Sequence, residues 1–206
     1  LMMSDYYVIH DFLNGSNHDK IDIFLQTPGG SGETVEEIVR ILHKKTNHVS
    51  FVIAGEAKSA GTILALSGNE ILMTETGSLG PIDAQVRLGR SVISAFDYVE
   101  WVNSKRKEAG ESGTLNPFDA TIIAQITPGE LSGVLHSLKF AEDLVVEWLP
   151  KYKFAEWEKT EQRQITVTPE IKEARAKEVV EQLINHARWR SHGRSIKIED
   201  LESLLK

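Results

Sequence analysis

Three short apolar runs, each separated from the next by a stretch of helical spacing, predict a layered α/β fold with a parallel sheet over residues 21–74. The connections between them are too short for anything but right-handed crossovers, so the unit reads βαβαβ. The remainder reads as mostly helical. This gives a first domain over residues 1–150 and a helical C-terminal extension over residues 151–206.

Asp5 to Leu13 carry the pattern of a short amphipathic helix, stopped by Asn14-Gly15-Ser16-Asn17. The first strand is Ile21-Asp22-Ile23-Phe24-Leu25, which runs straight into the turn Thr27-Pro28-Gly29-Gly30. Val35, Ile38, Val39 and Leu42 then form one apolar stripe of a helix. A second strand over residues 49–54 turns through Gly55-Glu56-Ala57-Lys58 into a helix of small residues over 59–66, and a third strand covers 70–74. Further on, Val92, Phe96, Val99 and Val102 make another stripe, and Asn116-Pro117 opens a helix with a cap and a proline. Thr127-Pro128-Gly129-Glu130 is a capping box ahead of Leu131, Val134, Leu135, Leu138 and Val145, in a helix that Pro150 is expected to end. Residues 151–168 are charged and irregular, the pattern of a hinge or lid. A last helix is expected from Thr168-Pro169-Glu170 to about residue 187, followed by the polar stretch from Trp189 to Arg194.

With 206 residues, 41% hydrophobic and 26% charged, the chain can bury one substantial core. A net charge of -7 removes the clustered cations from which polyanion binding draws its affinity, so nucleic acid is not an expected partner. The absence of cysteine excludes a disulfide framework, a thiolate zinc site and a cysteine nucleophile. No apolar run approaches the ~20 residues that span a bilayer. The expectation is a soluble, cytoplasmic protein. The abrupt start at Leu1-Met2-Met3-Ser4 points to a missing N-terminal piece, through which alone membrane association is expected.

The two strand-to-helix turns lie at the same carboxyl edge of a parallel sheet and can converge on one cleft. Gly29 and Gly30 have no side chains to block approach, so their amides can point at a developing oxyanion. Ser59 stands at the second turn, followed by Ala60 and Gly61, and the Ala60 amide is a candidate second oxyanion donor. Taken alone, Pro-Gly-Gly is turn punctuation and a serine at a helix start is an N-cap. Together they are far more specific. A dinucleotide-binding reading of Gly30-Ser31-Gly32, with Glu56 ending the next strand, fails because Val35 stands where the fingerprint needs its third glycine. His10, His18, His43 and His48 have no consistent ligand spacing, so no metal site is expected.

The order of strand, Pro28-Gly29-Gly30, helix, strand, Lys58-Ser59-Ala60-Gly61-Thr62, helix, strand and Gly77-Ser78-Leu79-Gly80-Pro81-Ile82-Asp83 resembles the Clp-type and signal-peptide-peptidase-type serine proteases, which share the crotonase fold. It is most similar to the serine dehydrogenase proteinase family and the stomatin-specific membrane proteases, whose nucleophile lies in a Ser-Ala-Gly-Thr motif. The resemblance covers residues 21–86, and the segment 189–196 is similar to a His-bearing stretch late in the first of those families. It implies a Clp-protease/crotonase-like layered fold and a serine endopeptidase. It also implies a peptide or protein substrate, no cofactor or ATP, and a homo-oligomer.

The general base does not carry over. Asp83 stands near the position of the Clp histidine, and the region of the stomatin-protease lysine reads Arg87-Leu88-Gly89-Arg90-Ser91, whose arginines stay protonated. Candidates within the chain are Lys58, ranked first because it adjoins the nucleophile, then His192 and Asp83; His136 reads as a helix-face histidine. Two other classes stay open. One is a catalytically silent scaffold or binding module, and the other is a crotonase-like acyl-CoA enzyme that shares the oxyanion hole but does not need Ser59.

Overall fold

A computed structural model describes residues 1–15, 18–88 and 91–205, with the backbone alone at residues 87, 88, 91, 186, 187, 204 and 205. Backbone contacts divide the chain into two units, Leu1–Ile82 with Ala141–Lys206 and Asp83–Phe140. Residues 151–206, expected as an extension, therefore share a unit with the parallel sheet.

The first unit opens with helix α1 (Met3–Asn14) and strand β1 (Lys20–Phe24). Helix α2 (Gly32–Lys45) begins where the Ser31 side chain accepts the Thr34 N–H at 3.2 Å. Its stripe is the one the sequence shows: Val35, Ile38, Val39 and Leu42 are each no more than 1% exposed. Strand β2 (His48–Ile53) pairs in parallel with β1 and with β4 (Glu70–Met73), in the order β1-β2-β4. Alternation splits β2 between two faces. Val49, Phe51 and Ile53 are fully buried, whereas Phe24, Val52 and Leu72 stand in register across the other face, with Phe24 80% exposed. Gly68 lies so close to Phe51 that a Cβ there would meet the ring at 2.6 Å.

Two further strands are only two residues long, β3 (Glu56–Ala57) and β5 (Ser78–Leu79), and they pair in parallel in a separate small sheet. Helix α3 (Ala60–Leu66) lies between β3 and β4 in sequence and is buried along its whole length. These parallel sheets match the βαβαβ expectation. Periodicity had no means of showing β3 and β5, which are too short to alternate.

In the second unit, β6 (Gln85–Leu88) and β7 (Ser91–Ser94) form an antiparallel pair, followed by α4 (Ala95–Ser112) and α5 (Pro117–Ile123). This corrects the helical reading of Val92. Ser94, not an earlier residue, caps α4 by accepting from the Phe96 N–H at 3.1 Å, which leaves the β-branched Val92 and Ile93 to the hairpin. Its core is Ala95, Tyr98, Val102 and Val134. Val134 belongs to α6 (Pro128–Trp148). The Thr127 half of its capping box forms, with the Glu130 N–H on Thr127 Oγ1 at 3.1 Å. The Glu130 carboxylate instead accepts the Tyr98 hydroxyl at 2.8 Å, and burial with this carboxylate pushes the Tyr98 pKa up to about 12.

Helix α6 ends at Trp148, just ahead of Pro150 as expected, but helical winding continues beyond it. The backbone widens into a π turn over Leu149–Lys153, which passes a residue with no N–H to give, and the Phe154 N–H closes it on Leu149 O at 2.8 Å. Helix α7 (Pro169–Leu183) ends earlier than expected because the chain folds back there, with Trp189 Nε1 donating to Gln182 O at 2.7 Å. Short helices α8 (His186–Trp189) and α9 (Ile198–Leu205) follow. Among the described residues no helix is long and apolar enough to cross a membrane.

The π turn is held to α2 by one aromatic contact. Tyr152 stacks on His43 with ring centroids 3.5 Å apart and planes 5° from parallel, while His43 Nε2 donates to Ser67 O at 2.8 Å. Burial lowers the His43 pKa below its ordinary 6.5, opposed by the bond to Ser67 O and reinforced by Lys151. The unfolded chain therefore takes up this proton first as pH falls, so stability is fully present above about 6.5 and declines as pH drops towards the folded pKa. Urea unfolding across that range should show the slope. It should be absent in His43→Phe, which keeps the stack and costs about 1 kcal/mol for the Ser67 carbonyl left without its donor.

Candidate functional site

Four backbone stretches lie side by side in the first unit. Thr27 bridges Ala57 in parallel, β3 pairs with β5 in parallel, and Leu79 bridges Ile196 in antiparallel. The bonds are ordinary ladder bonds: Lys58 N–H on Thr27 O at 3.0 Å, Leu79 N–H on Ile196 O at 3.0 Å and Ile196 N–H on Leu79 O at 2.9 Å. At the carboxyl edge of the three parallel stretches stand Pro28-Gly29-Gly30, Lys58-Ser59 and Gly80. Ile196 runs the other way, so the residues before it arrive at this same edge. They are Ser195, Arg194 and, two residues further back, His192.

The two turns meet. A Cβ built on Gly29 would stand 3.0 Å from the Ser59 Cβ and 3.5 Å from its Oγ, so only a glycine leaves the hydroxyl uncovered there. Gly29 and Gly30 also have φ of 124° and 151°, values open to glycine. The Gly29 N–H is spent on Thr27 Oγ1 at 3.1 Å, whereas the Gly30 N–H has no acceptor among the described residues. Ser59 itself has φ 52° and ψ -116°, a conformation that costs a non-glycine residue about 1–3 kcal/mol. It sits at the N-cap position of α3 yet its side chain accepts no helix amide. The hydroxyl is thus not a cap, and the Ala60 N–H at the start of α3 also donates to no acceptor among the described residues.

Thr62 and Gly61 explain how so tight a turn is held. Thr62 is fully buried, and its Oγ1 lies 2.9 Å from Ala57 O and 2.8 Å from Gly80 O while accepting the Gly80 N–H at 2.9 Å. One hydroxyl fastens α3 to the ends of both β3 and β5. Gly61 lets α3 approach the first turn, since a Cβ there would come within 2.5 Å of Thr27 Cγ2. The sequence shows both residues in the Ser-Ala-Gly-Thr motif but gives no sign of the staple Thr62 makes.

Lys58 is adjacent to Ser59 in the chain and 6% exposed. Its Nζ donates to Leu79 O at 3.1 Å, Arg194 O at 3.2 Å and Ser195 Oγ at 2.9 Å. Burial lowers its pKa, opposed by Glu56 and reinforced by Lys197. Ser195, which no sequence pattern singled out, is the side-chain partner of this lysine. Lys197 reaches back in the same region, to Thr76 O at 3.0 Å and Gly77 O at 3.1 Å. His192 is half-buried, and His136 is exposed on α6. Asp83 opens the second unit, where it accepts the Ser94 hydroxyl at 2.8 Å. Of the stretch considered for a base after Val86, Gly89 and Arg90 lie outside the described residues. Among the described residues no group of three His, Cys, Asp or Glu side chains is arranged to hold a metal ion.

Residues 8–127 match the protein family described as ClpP-like SDH-type serine proteinase. Two uncharacterized proteins of Methanocaldococcus jannaschii are each 33% identical to the chain over 66 residues, 32% of this chain and 23% of the relative. The chain thus matches about a quarter of the length of these curated relatives. A solved structure of a serine-to-alanine mutant of the membrane-bound stomatin-specific protease 1510-N is 24% identical, covering 68% of this chain and 71% of that one with a TM-score of 0.41.

The strained backbone and the staple generate two predictions. Ser59→Gly should be more stable than Ser59→Ala by about 1 kcal/mol in urea unfolding, because glycine adopts this φ without strain; equal stabilities would deny the strain. Thr62→Val should cost about 1–3 kcal/mol by leaving the Gly80 N–H buried without its acceptor, read as a lower unfolding midpoint.

Proposed function

Because the chain belongs to the family of ClpP-like SDH-type serine proteinases, we propose that Ser59 hydrolyses peptide bonds through an acyl-enzyme, with His192 as general base and the Gly30 and Ala60 N–H groups as oxyanion donors. The observation that carries this reading is the contact of the two turns, which leaves an uncapped serine hydroxyl beside two unspent amides. Ser59 Oγ attacks the scissile carbonyl carbon as its proton passes to His192. The carbonyl oxygen takes the negative charge between Gly30 N and Ala60 N. His192 then returns the proton to the departing amine as the C–N bond breaks. Water, deprotonated by the same imidazole, attacks the ester and frees Ser59.

The antiparallel approach of Ile196 supports His192 as the base. Only Gly193 separates it from Arg194, two steps of chain that span at most about 7 Å, and Arg194 is bonded to the residue next to Ser59. Lys58 gives its three protons to other acceptors, the bonding of a charged ammonium without a lone pair to offer. A peptide substrate is favoured over an acyl thioester by the backbone at the first turn. Gly29 O accepts from the Leu1 nitrogen, and the Ser31 N–H donates to Leu1 O at 3.0 Å, the pattern with which a strand edge holds extended main chain. The same reading includes self-association of the chain, for which sedimentation showing only monomer would be contrary evidence.

The test is labelling with a fluorophosphonate probe and mapping of the modified residue. Modification should fall on Ser59 and vanish in Ser59→Ala, and His192→Ala should slow it by roughly 100- to 10,000-fold. An unmodified protein supports the silent scaffold instead.

A further inference from the structure

A buried ammonium is costly unless its protons are all bonded, and an apolar side chain of the same length would fill the space beneath Gly80 without that cost. What a methionine there cannot do is grip two elements far apart in sequence. Lys58 bonds Leu79 O on β5 and, across 136 and 137 residues of chain, Arg194 O and Ser195 Oγ. The contact is also shaped for this side chain, because a Cβ at Gly80 would meet Lys58 Cδ at 2.8 Å. The segment so gripped is the one that leads to His192.

We propose that Lys58 is a positioning residue: its ammonium holds the backbone at Arg194 and the hydroxyl of Ser195, and thereby keeps His192 at the edge where Ser59 stands. This rests on His192 being the base. Ile196 and Lys197 hold the following residues to Leu79, Thr76 and Gly77, Trp189 holds the preceding ones to Gln182 O, and Lys58 grips the backbone between these anchors, two positions from His192. Loss of the tie leaves the segment anchored at Trp189 on one side and at residues 196 and 197 on the other, with the stretch between them held by fewer bonds. The charged groups that act on Lys58 are Glu56 from β3, which favours the ammonium, and Lys197, which opposes it; Arg194 belongs to the segment it grips.

The experiment measures the rate of fluorophosphonate labelling at Ser59 against pH for the unaltered chain, Lys58→Met, His192→Ala and the double variant. Amide hydrogen exchange is followed over residues 190–197. Lys58→Met should label about 100-fold more slowly, the loss expected for a base displaced by about 1 Å. It should retain the inflection of a titrating histidine, and its segment should exchange faster than that of the unaltered chain. In the His192→Ala background the same substitution should cost nothing further, because a residue that acts only through His192 has nothing left to place. Ser195→Ala removes one of the three bonds from an exposed residue and should give a smaller loss of the same kind.

Equal losses in both backgrounds, unchanged exchange, or an unchanged rate in Lys58→Met each overturn the proposal. If Lys58→Met abolishes the inflection and His192→Ala does nothing, Lys58 is itself the base and the positioning role is wrong. Full labelling of Ser59 in His192→Ala overturns the base assignment while leaving the nucleophile standing. No labelling of the unaltered chain overturns both readings together.

Discussion

Two strands of two residues each govern the first unit's candidate site. Pairing of Glu56–Ala57 with Ser78–Leu79 sets where the chain leaves each strand, and so where Ser59 and Gly80 stand. Thr27 joins this ladder on one side and Ile196 on the other, which brings the glycine turn and the C-terminal segment to the same edge. A ladder of this length supplies few hydrogen bonds of its own, each worth about 1 kcal/mol net. The Thr62 hydroxyl compensates by bonding to the ends of both strands from inside α3.

The edge concentrates features that cost free energy. Ser59 has a positive φ, two glycines surrender backbone freedom, and an ammonium is taken almost wholly out of water. None of these improves packing. They persist because the neighbouring layer is ordinary: α2 and β2 bury Val35, Ile38, Val39, Leu42, Val49, Phe51 and Ile53 almost completely. Strain held against a well-packed layer is the pattern found where a protein preorganises groups for chemistry. The chemistry proposed for this edge is the one by which the chain's family, the ClpP-like SDH-type serine proteinases, is described.

Much of this was legible in the residues. The Val35 to Leu42 stripe, the parallel order and both turns follow from periods of 3.6 and 2 and from where glycine and proline interrupt them. The contact of Gly29 with Ser59 followed from a rule about parallel edges. What was hidden depends on distance in the chain. Lys58 reads from sequence as a neighbour of the nucleophile, and nothing local shows that its side chain turns to residues 194 and 195. Ile196 forms an isolated bridge, which has no periodicity. The Val92 misreading is of another kind: it took a local helix signal at face value where Ser94 capping prevailed, and the π turn after Trp148 has no sequence signal beyond the Pro150 that ends the α-helix.

A crystal structure of the chain with a phosphonate adduct on Ser59 would test most directly whether these groups converge. The phosphonyl oxygen should lie within about 2.7–3.1 Å of Gly30 N and Ala60 N. The His192 imidazole should be within hydrogen-bond reach of Ser59 Oγ, and Lys58 Nζ should remain on Arg194 and Ser195. An adduct oxygen turned away from both amides, or Lys58 Nζ on Ser59 Oγ with His192 distant, would contradict it.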